Sequence, residues 1–540
     1  MPEARRNRLT VIATILGSTV VFLDATVVNV ALPALSDDLG AGLADQQWVV
    51  EAYLLALVAL LLVGGSLGDQ FGRRRIFIIG LGLFGITSVL CALAPSSGVL
   101  IAARGLQGLA GALLVPGSLA ILAATFEGAE RGRAVGTWTA WTGIATVVGP
   151  AGGGLLVEAI SWRAIFWVNV PLIALTMWLA QRSVRESVDP EADRHIDGIG
   201  IALSALGLGG PVYALIQQPT HGWGDPTVYG PLIGGVFLFA LFLAWEARYR
   251  HAMLDLSLFR VRNFAITNLE TLIVYAGLIG AFFFITLYLQ QTAGYTPIEA
   301  GLATTPVSVV LFFLSPRFGK IATGIGPRLP MSIGPVVGGI GLLLLMRVGA
   351  DPDYVTEVLP AVLVFGLGLA ATVAPLTATA LNSVPERQVG IASGVNNGVS
   401  RVAGLLAIAV LGALIAAEFG STIDENLSGL QLSEQGQEAV GEAKDRSLGA
   451  PDTADLAASE AARIDGAAED ASAQAFQLAM GASGLLMIVG GVIAGIGLRN
   501  PERETAYDSP RAAPAGECAR TPDQLGEEGG RRREAERVSA

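Results

Sequence analysis

Charge is what this chain has least of. Asp, Glu, Lys and Arg make up 15% of its 540 residues, where an ordinary soluble domain carries roughly 25%. Cysteine is nearly missing as well. Cys91 sits in an apolar run and Cys518 in a polar one, which leaves no disulfide framework and no metal-binding spacing. The three histidines, His195, His221 and His251, fall between apolar runs or at their edges. Neither histidines nor paired carboxylates occur at membrane depth, so an intramembrane enzyme lacks its machinery, and no segment fits a soluble catalytic domain. A nucleotide fingerprint is also wanting, which disfavours an ATP-driven pump. The first apolar run carries Asp24 and thirteen more runs follow it, so it reads as an uncleaved helix and not as a signal peptide.

What is abundant is apolar surface. Hydrophobic residues reach 52%, glycines number 68, and the mean hydropathy is +0.57. Glycine in such quantity suits helices that approach closely in lipid. Fourteen apolar runs are expected to span a bilayer: 9–32, 47–67, 76–94, 99–124, 134–157, 164–181, 198–216, 228–245, 265–290, 299–316, 331–348, 358–381, 391–417 and 476–498. Each approaches the ~20 residues that an all-helical crossing needs. Twenty-seven Lys and Arg fall in one alternating set of gaps and tails, and five in the other. Arg104 and Arg401 lie well within runs, and Arg347, counted with the five, at the outer edge of one. That bias places both termini in the cytoplasm and favours an even number of spans.

The formal net charge of −12 is mostly local. Residues 418–475 hold thirteen acidic residues against Lys444, Arg446 and Arg463, and are expected to form a long, partly helical extracellular loop. Residues 499–540 read as a disordered cytoplasmic tail.

One pattern occurs twice. Gly65-Ser-Leu-Gly68-Asp69-Gln-Phe-Gly72-Arg73-Arg74 joins runs two and three, and Gly319-Lys-Ile-Ala-Thr323-Gly-Ile-Gly326-Pro327-Arg328 joins runs ten and eleven. The eight-run offset implies two six-helix halves with two helices inserted between them, a usual plan for secondary transporters. The expected divisions are 1–181, an N-terminal six-helix bundle; 182–263, the inserted pair with its linkers; and 264–498, a C-terminal bundle. In the first loop Asp69 and Arg73 are spaced as a conformational latch. Arg74 and Arg75 serve either that latch or topology alone.

This loop resembles the signature of the major facilitator superfamily, and collinear motifs over about 9–417 agree. Leu23-Asp24-Ala-Thr26-Val-Val-Asn29-Val-Ala-Leu-Pro33 resembles the first-helix motif of the fourteen-span drug:proton antiporter branch. Arg104-Gly-Leu-Gln107-Gly108 is similar to the superfamily's buried-arginine motif. Gly149-Pro150-Ala-Gly-Gly153-Gly154 resembles its antiporter motif, and Trp162-Arg163-Ala-Ile-Phe166-Trp-Val-Asn169-Val-Pro171 leads into the sixth span as in that branch. Tyr288-Leu-Gln-Gln291 and Ala300-Gly301 fit too. Two positions depart. Ala145 stands where the family's Gly-x3-Gly-Pro begins, and Thr323 stands where the first half has Asp69, so any latch belongs to the first half.

The resemblance implies an all-α polytopic membrane protein with the major facilitator fold. It would export drugs or other amphipathic small molecules by proton antiport, with no cofactor beyond the proton gradient. Its expected partners are substrate, protons and the lipid bilayer, with no nucleic acid, and it is expected to act as a monomer in the plasma membrane. A dedicated exporter of one metabolite or antibiotic, an importer, and a membrane sensor are the alternatives.

Depth pairs two of the charged residues. Counted from Leu9, Asp24 lies about 22 Å along its helix, some 8 Å from the outer face, and Arg104 lies about 10 Å deep from the same side. Their expected role is proton coupling. Asn29, Gln107, Glu270 and Arg401 are candidate cavity residues, while Glu51 is expected to snorkel from near a helix end. Trp138, Trp141, Tyr275, Phe282, Phe283, Phe284 and Tyr288 either line a cavity or face lipid.

Overall fold

Short, polar or glycine-marked breaks divide the chain into long helices. The computed structural model describes residues 2–126, 128–188, 195–249, 254–385, 389–449, 451, 453–454 and 456–500. The expected tail from 501 onward, and Arg194, His251 and Arg387, lie outside them. In chain order the helices are α1 (Glu3–Leu39), α2 (Leu43–Phe71), α3 (Arg73–Ala92), α4 (Ser97–Thr125) and α5 (Gly128–Ala159). A short α6 (Ala164–Trp167) runs into α7 (Asn169–Ser183). Then come α8 (Gly198–His221), α9 (Pro226–Glu246), α10 (Arg262–Gln291), α11 (Pro297–Ile325), α12 (Arg328–Leu344), α13 (Leu359–Asn382), α14 (Val389–Asn426), α15 (Glu434–Arg446) and α16 (Ala458–Gly497). They belong to one compact unit that ends at Arg499.

Among the described residues, thirteen helices are long and apolar enough to cross a membrane. They match thirteen of the fourteen expected runs, including the glycine- and proline-rich ones at 198–216 and 299–316. The remaining run, 134–157, coincides with the 32-residue α5. Several α5 side chains, Ala145 among them, lie outside the described set.

Local chemistry explains the helix ends. Asp225 accepts from the Thr227 amide ahead of Pro226, and Thr296 and Glu299 form a reciprocal capping box ahead of Pro297. At the end of α1, Asp38 accepts from Trp162 Nε1 at 3.0 Å and pairs with Arg163. The Trp-Arg pair therefore ties the entry of the sixth span to the exit of the first.

The two copies of the repeated loop match in structure. Gly72 has φ +107° and Gly326 has φ +90°, backbone that side chains disfavour. Arg74 Nη2 donates to the Gln181 carbonyl at 3.0 Å, and Arg328 Nε donates to the Gly495 carbonyl at 2.6 Å. Each carbonyl lies in the last turn of its partner helix, α7 or α16. Arg74 is thus more than a topology marker: like Arg328 in the second copy, it clamps a helix C-terminus, where positive charge is favourable.

The acidic segment 418–475, read above as a long, partly helical loop, is built around three helical stretches. α14 continues to Asn426, α15 follows, and α16 begins at Ala458, so most of it is helix. Lys444 pairs with Asp424 at 2.6 Å, the Ser433 amide donates to Glu460 at 2.7 Å, and Thr292 Oγ1 donates to the Leu448 carbonyl at 2.9 Å. Ile464, Ala468 and Ala471 are buried. Its apolar stripe docks while Asp424, Glu434, Glu438, Glu442, Glu469 and Asp470 are exposed.

Candidate functional site

Asp24 lies midway along α1, a helix whose neighbours are α4, α5 and α7. Its carboxylate pairs with Arg104 Nη1 from α4, and both side chains are buried. Two amides complete the shell: Gln107 Nε2 donates to Asp24 Oδ1 at 3.1 Å and Asn169 Nδ2 at 3.0 Å. Both amides also reach Ser88 Oγ on α3, at 2.9 and 3.2 Å. Arg104 donates through Nε to the Val49 carbonyl at 3.1 Å, through Nη1 to Gln107 Oε1 at 2.7 Å, and stacks 4.2 Å over the Tyr53 ring. One acid, one base and three neutral polar groups from four helices are therefore locked together in the buried interior. Low dielectric strengthens each of these bonds and makes any unmet group costly. Arg104 Nη2 is such a group, buried with no hydrogen-bond partner.

Depth counting brought Asp24 and Arg104 to one level but missed Ser88 and Asn169. Small hydroxyls are common in these helices and carry little signal. Asn169 was quoted only within the motif that leads into the sixth span, with no link to Asp24.

The glycines of α5 face two directions. A Cβ on Gly149 would collide with Thr26 Oγ1 on α1, and one on Gly153 would lie 2.7 Å from Val27 Cγ1. A Cβ on Gly154 would meet α11 instead, 2.7 Å from Ile298 Cα. From the other side, Gly301 of α11 is packed on the backbone of Pro150 and Ala151. Gln47 Nε2 of α2 adds a bond to the Ile408 carbonyl of α14 at 2.8 Å. α5 ends and α11 begins at the end of the bundle opposite the N-terminus, and there the two helices touch backbone to backbone.

The remaining candidates scatter. Asp69 accepts from Arg73 Nε at 2.7 Å within its own turn, beside Gly65 and Gly68, and Glu186 accepts from the Arg74 and Arg75 amides at 3.1 Å each. Arg401 is half-buried on α14, its guanidinium 5.4 Å over the Phe22 ring. Asn29 is half-buried and its Oδ1 has no hydrogen-bond partner. Asn396, buried, donates to Asn268 and Thr271 at 3.2 and 2.8 Å.

Glu270 is fully buried with neither oxygen bonded. It shares a face of α10 with Ile266 and Val274, which pack on Gly497 and Gly490 of α16. That face of α10 packs on α16. Glu51 is likewise fully buried and unbonded. The expectation of snorkelling fails because neighbouring helices, and not solvent, cover its turn of α2. Among the aromatics, Tyr288, Phe283 and Phe284 are core residues and Trp141 is exposed. Among the described residues no group of three or more His, Cys, Asp or Glu converges as a metal site.

Thirteen described helices long and apolar enough to cross a membrane, with a buried polar knot between them, fit a multi-pass transport protein. The chain belongs to the Major Facilitator Superfamily, whose family model matches residues 14–408. It is 37% identical over 424 residues, 78% of each chain, to the multidrug resistance protein Stp of Mycobacterium tuberculosis. It is 33% identical over 427 residues, 79% of each chain, to the tetracenomycin C resistance and export protein of Streptomyces glaucescens. In fold it is similar to a bacterial homologue of the human lysosomal transporter Spinster, solved in an inward-facing, unoccupied conformation. The TM-score is 0.65 at 17% identity, covering 91% of this chain and 97% of that one.

Proposed function

We propose that this protein exports amphipathic small molecules from the cytoplasm by proton antiport, alternating access between its two halves. The observation that carries this reading is the buried knot of Asp24, Arg104, Gln107, Asn169 and Ser88. A carboxylate with three donors is well held in the present packing. A proton can replace the guanidinium on that carboxylate only if the helices rotate, which is the linkage an antiporter needs. The α5–α11 glycine contact is read as the seal of the outer gate, and Asp69 with Arg73 as the latch of the inner one. The excess of basic residues in one set of gaps supports cytoplasmic termini in the plasma membrane. Each chain would hold a complete pathway and act as a monomer, with the proton gradient as the only energy source.

Efflux into an imposed proton gradient, measured in proteoliposomes across a panel of cationic, neutral and zwitterionic compounds, tests the reading. Asp24→Asn is expected to insert, with lowered stability because Arg104 is left unpaired, and the folded variant to lose gradient-driven efflux. Undiminished gradient-driven efflux by that variant would remove Asp24 from coupling. The panel also separates a broad exporter from a single-compound one, a second reading favoured by the likeness to the tetracenomycin C protein. Efflux of one compound alone would support it.

A further inference from the structure

Glu51 has a setting unlike that of Asp24. Its side chain is fully buried, and neither carboxyl oxygen has a hydrogen-bond partner. One turn away on the same helical face, Gln47 donates across to Ile408 of α14. One turn the other way, Leu55 packs against Gly209 of α8. Glu51 therefore lies where α2, α8 and α14 meet, and these three helices pack on one another pairwise. The junction joins the first half, the inserted pair and the second half, so it must loosen whenever the halves swing apart.

Directly beyond Gln47 a crevice of about 310 Å³ opens at the end of the bundle remote from the N-terminus. Gln47, Ile216, Thr220, Gly412 and Lys444 line it, among others. Water in this crevice is one helical turn from Glu51, with the Gln47 amide between them.

We propose that Glu51 is a second proton-carrying group, loaded from this crevice and separate from the Asp24 knot. The inference rests on the orientation and proton-coupled cycle proposed above. With the junction shut, an ionised carboxylate there would have neither water nor a donor, so the shut state holds the neutral acid. When the junction parts, crevice water reaches the carboxyl, and the O–H proton passes to or from that water. No other bond forms or breaks. Ionisation then opposes closure and protonation permits it.

The groups that face this region from packed elements do not replace that role. Asp24 and Arg104 are paired with each other, and Lys444 with Asp424. Arg401 lies over Phe22. His221, at the end of α8, is engaged with Thr220 and the Gln217 carbonyl.

The test reads the junction directly and needs no substrate. Ile216, buried on the crevice wall, is replaced by Cys in a Cys518→Ser chain, since Cys91 is already buried. Labelling by an impermeant maleimide is followed from about pH 6 to pH 8.5, each rate divided by that of the unfolded protein to remove the thiol's own ionisation. With Glu51 present the corrected rate is expected to rise about tenfold with pH. In Glu51→Gln it should stay flat at the low-pH value, and in Glu51→Asp the rise should persist, which shows that the junction still folds around an acid. A flat profile with Glu51 present, or the same rise in Glu51→Gln, overturns the proposal. A rise that survives Glu51→Gln but vanishes in Asp24→Asn assigns the sensing to Asp24 and overturns this inference alone. The Asp24 reading stands or falls separately, on gradient-driven efflux by Asp24→Asn.

Discussion

Gly154 on α5 lies so close to Ile298 on α11 that a Cβ would fall 2.7 Å from the Ile298 Cα. The opposing atoms are backbone and cannot swing aside. Gly154→Leu should therefore exceed the about 1–3 kcal/mol of ordinary overpacking and hold this end of the bundle apart. The expected result is a monodisperse protein that has lost transport, with a Cys at Ile298 labelled faster than in the parent. Unchanged labelling would mean that α5 and α11 do not form the seal.

Gly149 makes a different contact, against Thr26 Oγ1 within the first half. Here the obstruction is a side chain, so it can be removed. Gly149→Leu is expected to abolish transport. Gly149→Ala should cost about 1–3 kcal/mol by overpacking, and Thr26→Ala should restore part of that loss. Thermal unfolding of the four-member cycle measures the coupling, and additivity would place the contact elsewhere.

For the pair of Asp24 and Arg104, removing one charge strands the other. Arg104→Ala should cost about 3–5 kcal/mol, whereas Asp24→Asn with Arg104→Gln should be closer to the parent than the sum of the single variants. Unfolding midpoints in detergent decide it. A purely additive cycle would contradict a direct buried pair.

Asn169 supplies one of three donors to Asp24, while Arg104 keeps its own bond. Asn169→Ala should thus destabilise by about 1–3 kcal/mol, the usual consequence of an unmet buried acceptor. Efflux is expected to weaken but persist, and its pH profile to move. Loss as complete as that in Asp24→Asn would give Asn169 a direct part in coupling.

How much of this was legible beforehand follows from what each signal measures. Apolar run length reports the cost of an unsatisfied backbone in lipid, which is paid residue by residue, so the spans were readable along the chain. The repeated loop was readable because Gly72 and Gly326 need the same uncommon backbone in both copies. Asp24 and Arg104 were matched because depth along a helix is counted at a fixed rise. Rotation about the helix axis is not counted that way. Glu51 and Glu270 therefore kept their levels but not their expected surroundings.

By itself the sequence determined the helical membrane class, the repeated loop and the level of each charged group along its helix, since these depend on local composition and backbone geometry. Tertiary structure alone decided that Ser88 and Asn169 join Asp24, that α15 and the start of α16 form docked helices, and that Glu51 sits at a three-helix junction. Those outcomes depend on which helix faces come together. Side-chain partners 80 to 145 residues apart, as Arg104 and Asn169 are from Asp24, are chosen by packing and not by anything neighbouring residues encode.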